Sequence, residues 1–243
     1  MDDLSSSPAA LSTQISTPAS LAVILLAGGR STRMGRDKAT IEIDGIPLIR
    51  RIYDVAVGCQ LPQQPGDGER LPPQIYVLTP WIDRYRSILP ADCNFILEQQ
   101  PDRGPLTAFG QGLTAITASW ILLIACDLPN LSTPIIQAGI DRLPSISAQS
   151  IAYLPKHSQK AWEPLCGFYR QACHHSALEY INAGGKSFQD WLKTQIVTEF
   201  VIADPTCLAN CNTPTDLATI LKDRSFNIHH PPSTIHHSPN NQP

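Results

Sequence analysis

Four short, almost wholly apolar runs limit most strongly how this chain can fold: LAVILLA at 21–27, QIYVLT at 74–79, NFIL at 94–97 and WILLIAC at 120–126. Runs this short and this rich in β-branched residues read as strands covered on both faces. Between them, PLIRRIYDVAVGC (47–59) opens with proline at a helix start and places Leu48, Ile52 and Val55 on one face. A short helix is expected near 82–89, and GPLTAFGQGLTAITA (104–118) reads as a helix despite its glycines. Further on, SIAYLP, PLCGFYR and IVTEFVI read as strands, and ACHHSALEYINAG and TPTDLATILKD as helices. Strands alternating with helices imply βαβ units. The expected fold class is α/β, a three-layer Rossmann-like domain with a mostly parallel central sheet.

At 243 residues the chain is long enough to bury a core as one domain. Residues 1–19 are mainly Ser, Thr, Pro and Ala, and the chain ends in NIHHPPSTIHHSPNNQP. Both ends hold too little apolar mass to offset the entropy of ordering. Disordered tails at 1–19 and 224–243 are therefore expected around a domain at 20–223. The two His-His pairs offer weak metal ligands, but their proline and asparagine neighbours point to a loose tail.

A net charge of −3 argues against a general nucleic-acid binder, which needs a basic surface. The longest apolar stretch is too short to cross a bilayer. The opening MDDLSSSPAA lacks the positive and apolar regions of a signal peptide. Seven cysteines are scattered without CxxC pairs, and the CxxxC spacing of Cys207 and Cys211 finds no partners to complete a zinc set. Reduced thiols in a cytoplasmic protein are expected, with neither membrane nor nucleic acid as partner.

The first strand runs into LLAGGRSTRMGRDKA (25–39), where two glycines are followed by Arg30, Arg33, Arg36 and Lys38. In α/β sheets, ligands sit beyond the carboxyl ends of the strands. Glycine at 28 and 29 lets backbone N–H groups approach an anion, and the cations add charge that a triphosphate would neutralise. The spelling excludes a P-loop, because Gly35 is followed by Arg36-Asp37-Lys38, and no G-x-G-x-x-G fingerprint is present. Asp127 follows the apolar WILLIAC run, where a carboxylate facing a phosphate loop suits Mg²⁺. The lesser alternative is a cap on the helix after LPNLSTP. Asn210 and Asn212 could contact phosphate or a metal-bound water, or Asn212 or Thr213 could cap the helix that starts at Pro214. GGKSFQDWL (184–192) is either a phosphate-facing segment through Lys186 or a solvated turn before a helix.

LAGGRSTRMGRDKA resembles the L-A-G-G-x-S-x-R-M-G-x-D-K signature of molybdenum cofactor guanylyltransferases, within the nucleotidyltransferase superfamily. In order along the chain, GPLTAF, ACDLP and NCNTPTDL resemble further segments of that family, so the likeness covers roughly residues 20 to 222. The resemblance implies a nucleotidyltransferase fold and transfer of GMP from GTP to the terminal phosphate of molybdopterin. It implies catalytic roles for Arg33, Lys38 and Asp127, with Asp127 as the Mg²⁺ ligand. Nucleotide contacts would fall to Leu26, Ala27, Gly28, Gly29, Lys38, Glu98, Asp127, Asn210 and Asn212. GTP and molybdopterin would be the substrates, and molybdenum-insertion proteins and acceptor molybdoenzymes the partners.

The chain departs from the family pattern at three places. Glu98 stands one residue from a nucleotide-contacting Asp, Thr79 stands where a base-contacting Asn is usual, and Glu163-Pro164 replaces a His-Pro pair. Cytidylyl relatives read L-A-A-G where this chain has Leu26-Ala27-Gly28-Gly29, so the absent β-carbon at 28 favours a purine. The other functions the sequence allows are a molybdopterin cytidylyltransferase, a sugar-phosphate nucleotidyltransferase, and a nucleotide-binding adaptor without catalysis. Lys38 and Asp127 together argue against the adaptor.

Overall fold

The structure is a computed structural model that describes residues 20–28, 37–61, 71–157 and 161–229. Strand β1 (Leu21–Leu26) is followed by a 3-10 turn (Lys38–Thr40), the small hairpin β2 (Glu42–Ile43) and β3 (Ile46–Pro47), and helix α1 (Leu48–Val57). Next come β4 (Gln74–Thr79), α2 (Ile82–Arg86), β5 (Asn94–Leu97), α3 (Pro105–Ala115), β6 (Trp120–Ala125) and α4 (Thr133–Arg142). The second half holds β7 (Ala152–Leu154), a second hairpin of β8 (Lys156–His157) and β9 (Ala161–Trp162), β10 (Cys166–Arg170) and α5 (His174–Asn182). It closes with α6 (Phe188–Leu192), β11 (Val197–Glu199) and α7 (Pro214–His229).

Seven strands form the central sheet in the order β11-β7-β10-β6-β1-β4-β5. β5, β4, β1 and β6 run parallel, while β10 is antiparallel to both its neighbours. The mostly parallel α/β sheet expected from the apolar runs is the one observed. All six residues of β1 and all six of β6 are buried, as strands covered on both faces require.

The two faces hold separate cores. On one face, Ile49, Ile52 and Tyr53 of α1 and Ile136 and Ile140 of α4 pack on Val23, Leu25, Leu122 and Ile124. On the other, Leu106, Phe109 and Leu113 of α3 and Phe188 and Trp191 of α6 pack on Ile24, Leu26, Ile121 and Leu123. Full burial of one such aliphatic or aromatic side chain contributes roughly 1.5–3 kcal/mol. The glycines of helix α3 permit close packing on both sides: a β-carbon at Gly112 would stand 2.6 Å from Ile24 Cδ1 of the sheet, and one at Gly110 would stand 2.8 Å from Ile181 Cδ1 of α5.

A third, smaller cluster joins Ile41, Ile43 and Leu48 to Cys211 and Ile220, so α7 packs beside the β2–β3 hairpin. That hairpin was not legible as a strand pair. Helix α7 also runs past the domain edge expected at 223, reaching His229 within the stretch read as a disordered tail. The sequence offers no breaker between Pro214 and Pro231, so nothing local stops the helix sooner. Helix α2 is shorter than expected, ending at Arg86 with Ser87 as its C-cap.

Parallel register brings three strand ends level. Leu26 of β1 lies beside Leu78 of β4 and Ala125 of β6. The ladder continues one step further, with Ala27 N donating to Leu78 O and Cys126 N to Leu26 O. Gly28, Pro80 and Asp127 therefore leave the sheet from one shared edge.

Candidate active site

Beyond that edge lies a cleft of about 350 Å³. Leu26, Leu78 and Ala125 give it an apolar floor, and Asp37, Lys38, Glu98, Asp102 and Asp127 supply its charged walls. Gly104 and Pro105, which lead into α3, close one side.

Three residues far apart in sequence meet on one wall. Lys38 Nζ donates to Asp127 Oδ2 at 3.4 Å and to Asn212 Oδ1. The Lys38 and Asp127 side chains are 24% and 19% exposed, so the ion pair is partly shielded yet reachable from the cleft. Asp127 is placed by the end of β6 and by its own carbonyl, which accepts Cys211 N at 2.9 Å. That bond ties the Asp127 loop to the loop before α7.

Local capping resolves two alternatives left open by the sequence. At the start of α7, Asp216 N donates to Thr213 Oγ1 while Asp216 Oδ2 accepts from Thr213 N and Asn212 N. This reciprocal pair is a capping box. Hydrogen bonds led by the Asn212 amide hold the Asp216 carboxyl below its ordinary range. Thr213 is thus the cap, and the Asn212 side chain reaches Lys38 instead. At α4 the N-cap position belongs to Ser132, so Asp127 does not cap that helix.

Glu98 faces the opposite wall. Its backbone N donates to Thr79 O, which continues the β4–β5 pairing by one residue. Burial, with Asp102 as a smaller contributor, pushes the Glu98 carboxyl above its ordinary value. A β-carbon on Gly28 would come within 2.7 Å of Glu98 Oε2 and 3.2 Å of Pro80 Cδ. Glycine at 28 therefore admits the Glu98 carboxylate close to the backbone. Thr79 is fully buried, and its Oγ1 accepts Trp81 N at 3.0 Å, so it shapes the turn after β4.

Asp37 was not singled out as a site residue by its sequence context, yet it lines the cleft. Its Oδ1 accepts Ala39 N at 3.1 Å and caps the 3-10 turn that carries Lys38. An acid placed among four cations, directly before the lysine, is the clue that was available.

The remaining expected residues fall as follows. Leu26 and Gly28 line the cleft, whereas Ala27 is fully buried in the core of the α1 face. Asn210 is half-buried in the loop before Asn212 and is not part of the cleft lining. Gly29, Arg30, Arg33 and Arg36 lie outside the described residues. Lys186 is exposed just before α6, where Ser187 accepts Asp190 N, so this segment is the lead-in to a helix. Glu163 Oε1 accepts Leu165 N beside the cleft-lining Leu165. Among the described residues, no group of three His, Cys, Asp or Glu side chains is gathered to hold a metal, and no helix is long and apolar enough to cross a membrane.

Residues 23–198 match a family model described as the MobA-like NTP transferase domain. The chain is 43% identical over 200 residues to a protein of Trichormus variabilis named "Probable molybdenum cofactor guanylyltransferase", covering 82% of this chain and 90% of that one. A protein of Synechococcus elongatus with the same name is 38% identical over 201 residues, covering 80% and 95%. Among solved structures, molybdopterin-guanine dinucleotide biosynthesis protein A from Archaeoglobus fulgidus shares the fold with a TM-score of 0.67 at 18% identity, covering 84% of this chain and 98% of that one.

Proposed function

We propose that this chain, which belongs to the MobA-like NTP transferase family, is a molybdenum cofactor guanylyltransferase acting in the cytoplasm. It takes GMP from GTP, joins it to the terminal phosphate of molybdopterin, and releases pyrophosphate. The meeting of Lys38, Asp127 and Asn212 at the carboxyl end of the parallel sheet supports this reading most directly.

In this reaction a phosphate oxygen of molybdopterin bonds to the α-phosphorus of GTP as the bond to the β-phosphate oxygen breaks. The nucleophile is already ionised at neutral pH, so no general base is required. What the protein supplies is position and positive charge. Lys38 neutralises charge that gathers on the α-phosphate and on departing pyrophosphate, and Arg33 adds to it from the glycine-rich loop. Asn212 holds the lysine ammonium toward the cleft.

The donor set suits a hard divalent cation. Asp127 offers one carboxylate beside the phosphate end of the cleft, and Mg²⁺ favours one or two carboxylates with substrate phosphate oxygens and water filling its shell. Bound there, the ion would neutralise phosphate charge and orient the triphosphate.

Base choice rests on Glu98. A carboxylate accepts hydrogen bonds, and guanine presents two adjacent donors, N1–H and the 2-amino group, that cytosine lacks. The room at Gly28 lets that acceptor stand at the cleft wall. Incubation with GTP, Mg²⁺ and molybdopterin tests the assignment: the expected product is a pterin joined through pyrophosphate to guanosine. GTP hydrolysis without that product would contradict it.

A further inference from the structure

We propose that Asp37, Arg84 and Tyr85 form a clamp that positions Lys38 for nucleotidyl transfer, an inference that rests on the role given to Lys38 above. Asp37 divides its carboxylate between two tasks. One oxygen, Oδ1, caps the turn immediately after Lys38 by accepting Ala39 N. The other, Oδ2, accepts Tyr85 Oη at 2.7 Å and Arg84 Nη1 at 2.9 Å. Both donors stand on α2, so the residue that shapes the Lys38 turn is fastened to a neighbouring element.

The fastening is rigid for physical reasons. Tyr85 is fully buried, with its ring in the core on the α1 face, so its hydroxyl has a fixed origin. Arg84 lies with its guanidinium 4.6 Å from the centroid of the Trp81 ring. Trp81 is itself set by the bond from its backbone N to Thr79 Oγ1 at the end of β4. A continuous series of bonds and ring contacts thus runs from the buried end of β4, through Trp81 and Arg84, to Asp37 and the Lys38 turn. The Asp37 side chain is only 12% exposed, so these charge-assisted bonds are poorly replaced by water.

A lysine has four rotatable bonds, and a freely moving ammonium would deliver its charge to the α-phosphate only part of the time. Fixing the backbone on both sides of Lys38, with Asn212 as acceptor at its tip, removes much of that freedom before GTP arrives. Arg84 and Tyr85 do not reach substrate in this account. They are positioning residues.

A double-mutant cycle tests the clamp in the full chain. Tyr85→Phe keeps the ring and loses the hydroxyl, while Arg84→Gln keeps a polar side chain and loses the charge at a half-exposed position. Each is made in the wild-type and Lys38→Ala backgrounds. In wild type, kcat should fall about tenfold for each variant with little change in KM for GTP, while Tm drops by roughly a few degrees as Asp37 loses a donor. In the Lys38→Ala background, the same changes should cost less than about twofold, because the residue they position is gone. Equal losses in both backgrounds, or unchanged kcat in wild type, would overturn the clamp while leaving the assigned activity intact. Wild-type turnover by Lys38→Ala alone would overturn the role of Lys38, and the clamp with it.

Discussion

Lys38 Nζ donates to the side-chain oxygen of Asn212, a residue 174 positions further along the chain. The same nitrogen lies 3.4 Å from Asp127 Oδ2. Loops from the middle and the end of the domain thus converge on one ammonium group. Lys38→Ala should lower kcat by about 100-fold, near 2.7 kcal/mol of transition-state stabilisation, with a smaller effect on GTP affinity. Steady-state kinetics with GTP and molybdopterin check this. Weaker GTP binding with kcat unchanged would mean that Lys38 serves ground-state binding alone.

Asp127→Asn should remove most transfer, with partial recovery at raised Mg²⁺ or with Mn²⁺. Its ion-pair partner is the cation Lys38, so the change removes an attraction. The lost ion pair is partly exposed, and its removal should cost about 0–1 kcal/mol of stability. Activity assays and thermal melts separate the two effects. An active variant with normal metal dependence would remove Asp127 from the mechanism.

The central sheet was legible because β1 and β6 are apolar on both faces, as burial on both sides demands, and β4 and β5 carry short apolar runs beside them. Lys38 and Asp127 were legible because each lies in a motif attached to one of those strands. Asn212 was harder. Asn212 and Thr213 are both good cap residues, and only the bonds from Asp216 decide which one caps α7. Asp37 was passed over because its partners on α2 are brought to it only by the tertiary fold. The β2–β3 pair was missed because two-residue strands carry no periodicity.

Gly28→Ala should weaken GTP use more than it weakens the fold. The backbone at 28 lies outside the left-handed region, so the cost is one of space alone. The new methyl would displace the Glu98 carboxylate, which ends a flexible side chain. We expect kcat/KM for GTP to fall on the order of tenfold, mostly through KM, with Tm nearly unchanged. A variant with wild-type KM for GTP would show that Glu98 is not placed by the room at residue 28.

Glu98 gives the protein a defined pH response. Its folded pKa is raised above the ordinary 4.5, chiefly by burial, so the native state holds this proton more tightly than the unfolded chain. The associated stability is fully present below the unfolded value and is lost as pH rises through the folded one. Replacing it, Glu98→Gln should flatten that part of the stability curve, as measured by thermal melts between about pH 4 and pH 7. Affinity for GTP should change in the opposite sense, weakening on acidification as the acceptor carboxylate is protonated. Parallel melting curves for Glu98→Gln and wild type would contradict the assignment.

Nucleotide choice tests the central claim most directly. Pyrophosphate release is measured with Mg²⁺, molybdopterin and each of GTP, CTP, ATP and UTP in turn. GTP alone should support turnover that depends on molybdopterin, and Lys38→Ala and Asp127→Asn should abolish most of it. Equal rates with GTP and CTP, or release that does not require molybdopterin, would contradict guanylyl transfer by this cleft.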